Sequence, residues 1–200
     1  MDELFEVIAD GLMNNHYAIV DGFLAASEVG SIIALPHFHR HEEHFKKAGI
    51  GKSAHHQINE AVRGDYILWL DKNTAPAPAL LYLHKLDQLI QYLNRSLFLA
   101  LKDVEVHMTV YPVGSYYKRH LDQFKKDDHR KLSVICYLNR DWKEEQGGQL
   151  RIYTNNRSID VLPVAGRLVC FRSDLLEHEV QPATRERLSL TGWMIDRVIL

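Results

Sequence analysis

Two histidines and an aspartate in the second half of the chain have the types and spacing to hold a divalent metal. His120-Leu121-Asp122 lies in an alternating stretch, and His178 follows 56 positions after Asp122. On a strand, residues i and i+2 share a face about 6.6 Å apart, so His120 and Asp122 are expected to approach one ion from the same side. One distal histidine completes a set of two imidazoles and one carboxylate, which leaves three positions of iron(II) open for O2 and a co-substrate. Arg187 comes nine residues after His178. A planar guanidinium binds a carboxylate through two parallel hydrogen bonds. The pattern therefore points to Fe(II) and O2 used with a carboxylate-bearing co-substrate such as 2-oxoglutarate.

A His-x-Asp pair alone carries little. The chain holds twelve histidines, enough for about one such match by chance, and a solvated polar strand face explains a single pair equally well. The weight lies in the ordered set and in the elements that must position it.

From Val104 onward the hydrophobic period is two: Val104, Val106, Met108 and Val110 alternate with polar residues, and Leu132, Val134, Cys136 and Leu138 repeat the pattern. Gly147-Gly148 and Ala165-Gly166 mark turns. About eight strands are expected, near 104–112, 116–124, 131–138, 148–153, 158–162, 167–171, 177–181 and 186–195. His120 and Asp122 would share the second of these, His178 would lie near the seventh, and Arg187 would open the eighth. Ser189, Thr191 and Trp193 fall on the Arg187 face of that strand, whereas Leu188, Leu190 and Met194 face away. Tyr137 presents a phenol opposite Cys136, as a second donor to the same carboxylate or as a half-buried sheet tyrosine.

The first hundred residues read as helix-rich. Leu4 to Met13 has helical spacing, His16 to Leu24 reads as a strand, and a helix capped by Ser27 follows. Tyr66 to Leu70 is a short strand. Pro76 to Pro78 opens a long helix, Ala79 to about Leu99, whose leucines keep one face. Helices first and strands second predict an α+β chain, a jelly-roll core of about eight strands with a helical buttress. At 200 residues it is expected to form one domain, with residues 1–103 as the helix-rich part and 104–196 as the core.

The bulk properties narrow the partners. A formal net charge of −2 gives no reason to expect nucleic acid or an anionic membrane; Lys125-Lys126 and Arg185-Glu186-Arg187 are short basic clusters. No apolar run is long enough to span a bilayer, and the acidic start Met1-Asp2-Glu3 does not read as a signal peptide. Cys136 and Cys170 sit in apolar strands, as expected of core thiols in a reducing, cytoplasmic setting.

Five ordered blocks carry a resemblance: Tyr111-Pro112, Tyr117-Lys118-Arg119-His120-Leu121-Asp122, Tyr137-Leu138-Asn139-Arg140-Asp141-Trp142, Gly147-Gly148-Gln149-Leu150-Arg151-Ile152, and His178-Glu179-Val180-Gln181-Pro182-Ala183. Together they resemble the hypoxia-inducible-factor type prolyl hydroxylases, from about Val104 to Asp196, with a weaker upstream match at Arg63-Gly64-Asp65 before Trp69. The resemblance implies a double-stranded β-helix core holding Fe(II) through His120, Asp122 and His178. It implies 2-oxoglutarate held at its distal carboxylate by Arg187 and Tyr137, with Thr191 nearby, Tyr111 lining the pocket, and L-ascorbate as an accessory reductant. Collagen-type relatives typically carry a lysine about ten positions after the distal histidine; here an arginine stands at nine, which favours Arg187 over Arg185. Asp65 is expected to pair with Arg130 and anchor a loop over the substrate, with Arg63 facing the entrance. Gly49, Gly51 and the polar run through Gln57 fit a gating loop.

The implied activity is hydroxylation of a prolyl residue in a protein. Bacterial relatives of the family are associated with elongation factor Tu, which makes a proline of that protein the candidate. On this resemblance the chain is expected to depart from the animal enzymes in a tyrosine-to-histidine segment one residue shorter and, with the sequence running to Leu200, in lacking the C-terminal helix that shapes their substrate groove. Two other readings stay open: the same chemistry on a small molecule, another side chain or an alkylated base, and a metal-binding jelly-roll without turnover. His37-Phe38-His39-Arg40-His41-Glu42-Glu43-His44 would place three histidines on one helical face, as a metal trap or as a solvated polar face. His107 and His129 have no partner at ligand spacing and are expected to be structural or solvated.

Overall fold

The computed structural model describes residues 1–39, 41–49, 62–123 and 128–197. Helix α1 (Asp2–Asn15) ends at His16, whose left-handed backbone (φ 68°) turns the chain directly into strand β1 (Tyr17–Val20). The strand expected over 16–24 is therefore only four residues long. Gly22 (φ +73°) breaks it, and Phe23 and Leu24 enter the core from a turn. Helix α2 (Ala26–Ile33) is capped not by Ser27, which lies inside its first turn, but by Glu28: its carboxylate accepts the Ala25 N–H at 2.7 Å and the Lys85 ammonium at 2.6 Å. A carboxylate three residues into a helix satisfies an otherwise orphaned donor; here it also ties the helix to its neighbour.

Two four-residue helices, α3 (Pro36–His39) and α4 (His41–His44), lead to β2 (Lys46–Lys47), β3 (Tyr66–Leu70) and the long helix α5 (Ala77–Leu97). Pro78 supplies the fixed φ suited to a first helical turn. Phe98 ends the helix in left-handed backbone (φ 54°), and the Asn94 amide bonds both the N–H and the C=O of Leu101 at 2.8 Å, aiming the chain into the sheet.

The eight expected strands are all present: β4 (Asp103–Tyr111), β5 (Tyr117–His120), β6 (Arg130–Tyr137), β7 (Leu150–Tyr153), β8 (Ser158–Val161), β9 (Leu168–Arg172), β10 (Glu177–Val180) and β11 (Arg187–Ile195). Together with β1, β2 and β3 they form two antiparallel sheets, a seven-stranded one in the order β1-β9-β6-β11-β4-β3-β2 and a four-stranded one in the order β5-β10-β7-β8. The larger sheet packs one face on α1, α2 and α5 through a largely apolar layer that includes Leu86, Leu89, Met108, Val134, Cys136 and Leu190. Its other face meets the small sheet through Ile135, Tyr137, Leu150, Ile152, Val169 and Phe171. Gly192 lets β11 and β4 approach closely: a Cβ there would lie 2.2 Å from the Glu105 carbonyl oxygen. Among the described residues no helix is long and apolar enough to cross a membrane.

Candidate active site

The two imidazoles meet because β5 and β10 are neighbours: His178 pairs directly opposite His120, and their rings lie 4.3 Å apart. Asp122 does not share the strand with His120, as the spacing predicted. The strand ends at His120, and Asp122 lies beyond it at a bend, where a turn rather than strand pleating brings its carboxylate to the same point. Its two oxygens lie 3.4 Å from His120 Nε2 and 3.5 Å from His178 Nε2. One ligand atom from each of the three residues falls within 4.8 Å of the others, the only such group of three among the described residues.

Each imidazole is oriented through its other nitrogen. His120 Nδ1 lies 2.7 Å from the Lys118 carbonyl and His178 Nδ1 lies 3.3 Å from that of Leu176; an Nδ1–H donating to a carbonyl leaves Nε2 free to ligate. Ser133 donates to Asp122 at 2.7 Å and is itself 2.8 Å from Ser173. Burial works against the Asp122 charge, but the two imidazoles and the Ser133 hydroxyl outweigh it and hold the carboxyl well below its usual range. Burial also pushes His178 down to about 4. A neutral His178 and an ionised Asp122 are protonation states that a divalent metal requires.

Arg187 opens β11 and is 1% exposed. Its Cζ lies 5.0 Å from the Tyr111 ring centre and 4.9 Å from that of Tyr137. Arg187 Nε and Nη2 and the Tyr137 hydroxyl are buried without hydrogen-bond partners. Gly148 (φ +72°) packs closely behind the Arg187 stem: a Cβ there would lie 2.9 Å from Ala183 Cβ and 3.1 Å from Trp142 Cζ2. A cavity of about 260 Å³ runs from Arg187 and Tyr111 past the two imidazoles and Asp122 to Thr191, His107, Trp193, Arg130 and the half-exposed Trp69. Arg185 lies elsewhere, over the Trp142 ring at 4.9 Å with Nη1 donating to the Arg140 carbonyl.

The expected Asp65–Arg130 pair does not form. Asp65 is taken by Arg63, two residues away, through two hydrogen bonds of 2.7 and 2.6 Å. Arg130 instead lies over the Trp193 ring at 3.5 Å and 3.6 Å from Glu105. The tight Arg-Gly-Asp turn lets the guanidinium fork reach back to its own carboxylate, and an indole face offers Arg130 a cation–π contact. The gating run from Gly51 through Gln57, and Lys125-Lys126, lie outside the described residues. His37 and His44 sit on separate short helices with rings 5.1 Å apart; the His41 side chain lies outside the described residues.

His107 and His129 are buried rather than solvated, and His107 lines the cavity. Its ring is bonded to Thr109 at 2.8 Å, sits 5.0 Å from Trp69 and 5.5 Å from Trp193, and is pushed down by burial to about 4. Alternation held this signal: Glu105, His107 and Thr109 share the Tyr111 face of β4. Ser133 carried no signal, because its partner Asp122 lies on another element.

Residues 106–195 match the model of the 2OG-Fe(II) oxygenase superfamily. The chain is 32% identical over 193 residues to Egl nine homolog 1 of Homo sapiens, covering 92% of this chain and 45% of that protein; it spans about half the length of the Egl nine relatives it matches. The crystal structure of a Pseudomonas putida prolyl-4-hydroxylase is 40% identical with a TM-score of 0.87, covering 97% of this chain and 100% of that one. A Trichoplax adhaerens prolyl hydroxylase, solved with a hypoxia-inducible-factor oxygen degradation domain peptide, is 28% identical with a TM-score of 0.85, covering 98% and 90%. With the jelly-roll sheets, the two imidazoles with one carboxylate and the buried arginine, these likenesses place the chain in the 2OG-Fe(II) oxygenase superfamily, in its prolyl hydroxylase-like branch.

Proposed function

We propose that the chain is a 2-oxoglutarate- and Fe(II)-dependent dioxygenase that hydroxylates a prolyl residue in a target protein. Arg187 carries the reading. A buried guanidinium with unpartnered nitrogens, beside an unpartnered phenol, costs several kcal/mol unless an anion completes it. The cavity that Arg187 lines also holds the His120 and His178 imidazoles and the Asp122 carboxylate. A small dicarboxylate that reaches from one set to the other satisfies both.

In this reading His120, Asp122 and His178 hold the iron, and the carbonyls of Lys118 and Leu176 keep both imidazoles turned toward it. Arg187 and Tyr137 grip the distal carboxylate of 2-oxoglutarate, with Thr191 and Tyr111 lining its sleeve. When bound, Fe(II) and 2-oxoglutarate supply the oxidising chemistry, converting O2 and a C–H bond into a hydroxyl group with release of succinate and CO2. The protein orients and encloses: Trp193 and His107 form a buried wall, and Trp69, Arg130 and the Arg63–Asp65 turn border the opening through which the target enters. Residues 1–103 act as buttress and substrate side, and 104–196 as catalytic core, of one unit.

The likeness to the Pseudomonas putida enzyme and to a peptide-bound relative supports a protein target over a small molecule. Our candidate is a proline of elongation factor Tu, with L-ascorbate as accessory reductant and the cytoplasm as the setting; two buried free thiols accord with the latter. The test is anaerobic titration of Fe(II) and 2-oxoglutarate, read by visible charge-transfer absorbance, followed by mass spectrometry of elongation factor Tu incubated aerobically. A band absent in His178→Ala and a 16 Da gain on one proline are expected. No band from folded, iron-loaded protein sinks the oxygenase reading; a band with 2-oxoglutarate turnover but no modified proline moves the target elsewhere.

A further inference from the structure

Tyr117 begins β5 three residues before His120, and on a regular strand the two side chains would point to opposite faces. They do not. The pairing of β5 with β10 shifts register between His178 and Val180, and irregularities of this kind re-aim side chains beside active sites. The Tyr117 ring consequently lies flat on the His120 imidazole, with centroids 3.6 Å apart and planes only 17° from parallel. On the other side of the phenol ring, Arg63 Cζ lies 4.4 Å from its centre.

Arg63 is in turn fixed by the fully buried side chain of Asp65. The backbone reinforces this layer: Gly64 N–H donates to the Tyr116 carbonyl at 3.0 Å and Lys118 N–H to the Val62 carbonyl at 2.9 Å, along the outer edge of the small sheet. The two imidazoles are thus supported differently. His178 is buried, with its ring against Phe171 at 4.7 Å, whereas His120 keeps 16% of its side chain exposed. Its hydrogen bond to Lys118 fixes the ring's direction; the stack is what opposes tilting out of plane.

We propose that Tyr117 is a positioning residue for His120, clamped between that imidazole and the Arg63 guanidinium, and that it ties the Arg63-Gly64-Asp65 turn at the cavity mouth to the metal centre. The inference rests on His120, Asp122 and His178 being metal ligands. Co(II) is the probe, titrated into the full chain and read by its d–d absorption, in wild type, Tyr117→Phe, Tyr117→Leu, Arg63→Lys and His178→Ala. Histidine ring NMR signals of the metal-free proteins are recorded alongside.

Tyr117→Phe keeps the stack and should bind Co(II) within about twofold of wild type with the same spectrum. Tyr117→Leu should bind about tenfold more weakly with an altered absorption envelope, the scale of losing a group that orients a ligand. Arg63→Lys retains the charge beside Asp65 but not the planar face, and should weaken binding by about threefold while moving the His120 ring signals. Wild type binding no tighter than His178→Ala would overturn the metal reading itself. Wild-type affinity and spectrum in Tyr117→Leu would overturn the positioning role alone, as would Phe failing as badly as Leu. Should Tyr117→Leu not fold, Arg63→Lys decides: unmoved His120 signals with unchanged Co(II) affinity remove the clamp.

Discussion

Toward the helices, β11 turns Leu188, Leu190 and Met194 into an apolar layer; toward the small sheet it turns Arg187, Ser189, Thr191 and Trp193. Both faces are buried, yet they differ in completeness: among the described residues the helix side leaves one buried hydroxyl, that of Tyr82, without a partner, and the site side leaves several such groups around a single arginine. On the helix side Leu190 and Met194 are fully buried among hydrocarbon neighbours. On the site side, two nitrogens of Arg187, the Tyr137 hydroxyl and the Trp193 indole N–H are buried without partners. A folded chain tolerates such orphans where a ligand completes them. One sheet therefore carries stability on one face and an unfinished binding site on the other.

Removing the orphaned charge breaks this comparison hardest. Arg187→Met should weaken 2-oxoglutarate binding about a thousandfold, ~4 kcal/mol, in anaerobic calorimetry with metal present. The ligand-free protein should melt no lower than wild type, because a well-packed apolar residue can replace an unpaired buried ion without loss. A lower melting temperature with intact 2-oxoglutarate affinity would reverse the assignment of the two faces. On the helix side, Leu190→Ala should do the contrary: about 3 kcal/mol lost in urea unfolding, with 2-oxoglutarate affinity in the surviving folded protein close to wild type.

Acid sharpens the contrast through His107. Its folded pKa of about 4 lies below the ordinary histidine value near 6.5. Between those values the unfolded chain binds a proton that the folded one does not, so stability falls as pH drops from about 6.5 toward 4. Urea unfolding of the metal-free protein should lose ~2 kcal/mol more between about pH 6.5 and 4.5 in wild type than in His107→Phe. Equal losses would mean that His107 is not held neutral. The smallest effect belongs to the outer surface of the small sheet, where Arg119 pairs with Glu177 in solvent: Arg119→Ala should change unfolding free energy by less than about 0.5 kcal/mol.

The strands were legible because alternation is a local property. Val104 to Val110 and Leu132 to Leu138 show period two whatever lies beside them, and only the two-residue β2, Lys46–Lys47, gave no pattern to read. The three candidate metal ligands were legible for a similar reason: two imidazoles and a carboxylate stand in order in a strand-rich region, among blocks that resemble a known family. Contacts that depend on which element lands beside which were misread. Asp65 chose the adjacent Arg63 over the distant Arg130, and Glu28 replaced Ser27 as a cap because Lys85 of α5 stands within reach.

By itself, then, the sequence determined the layered α+β class, the positions of nearly all strands and the residues that gather at the candidate site: His120, Asp122, His178 and Arg187. Their types and periods depend on side-chain chemistry and backbone repeat alone. Only the tertiary structure decided that Asp122 reaches the site from a bend, that Ser133 holds it, that Tyr117 lies flat on His120, and that Arg187 has no acidic partner among the described residues. Each of those facts depends on strand order, register and turn geometry, and these are settled by packing between segments far apart in the chain.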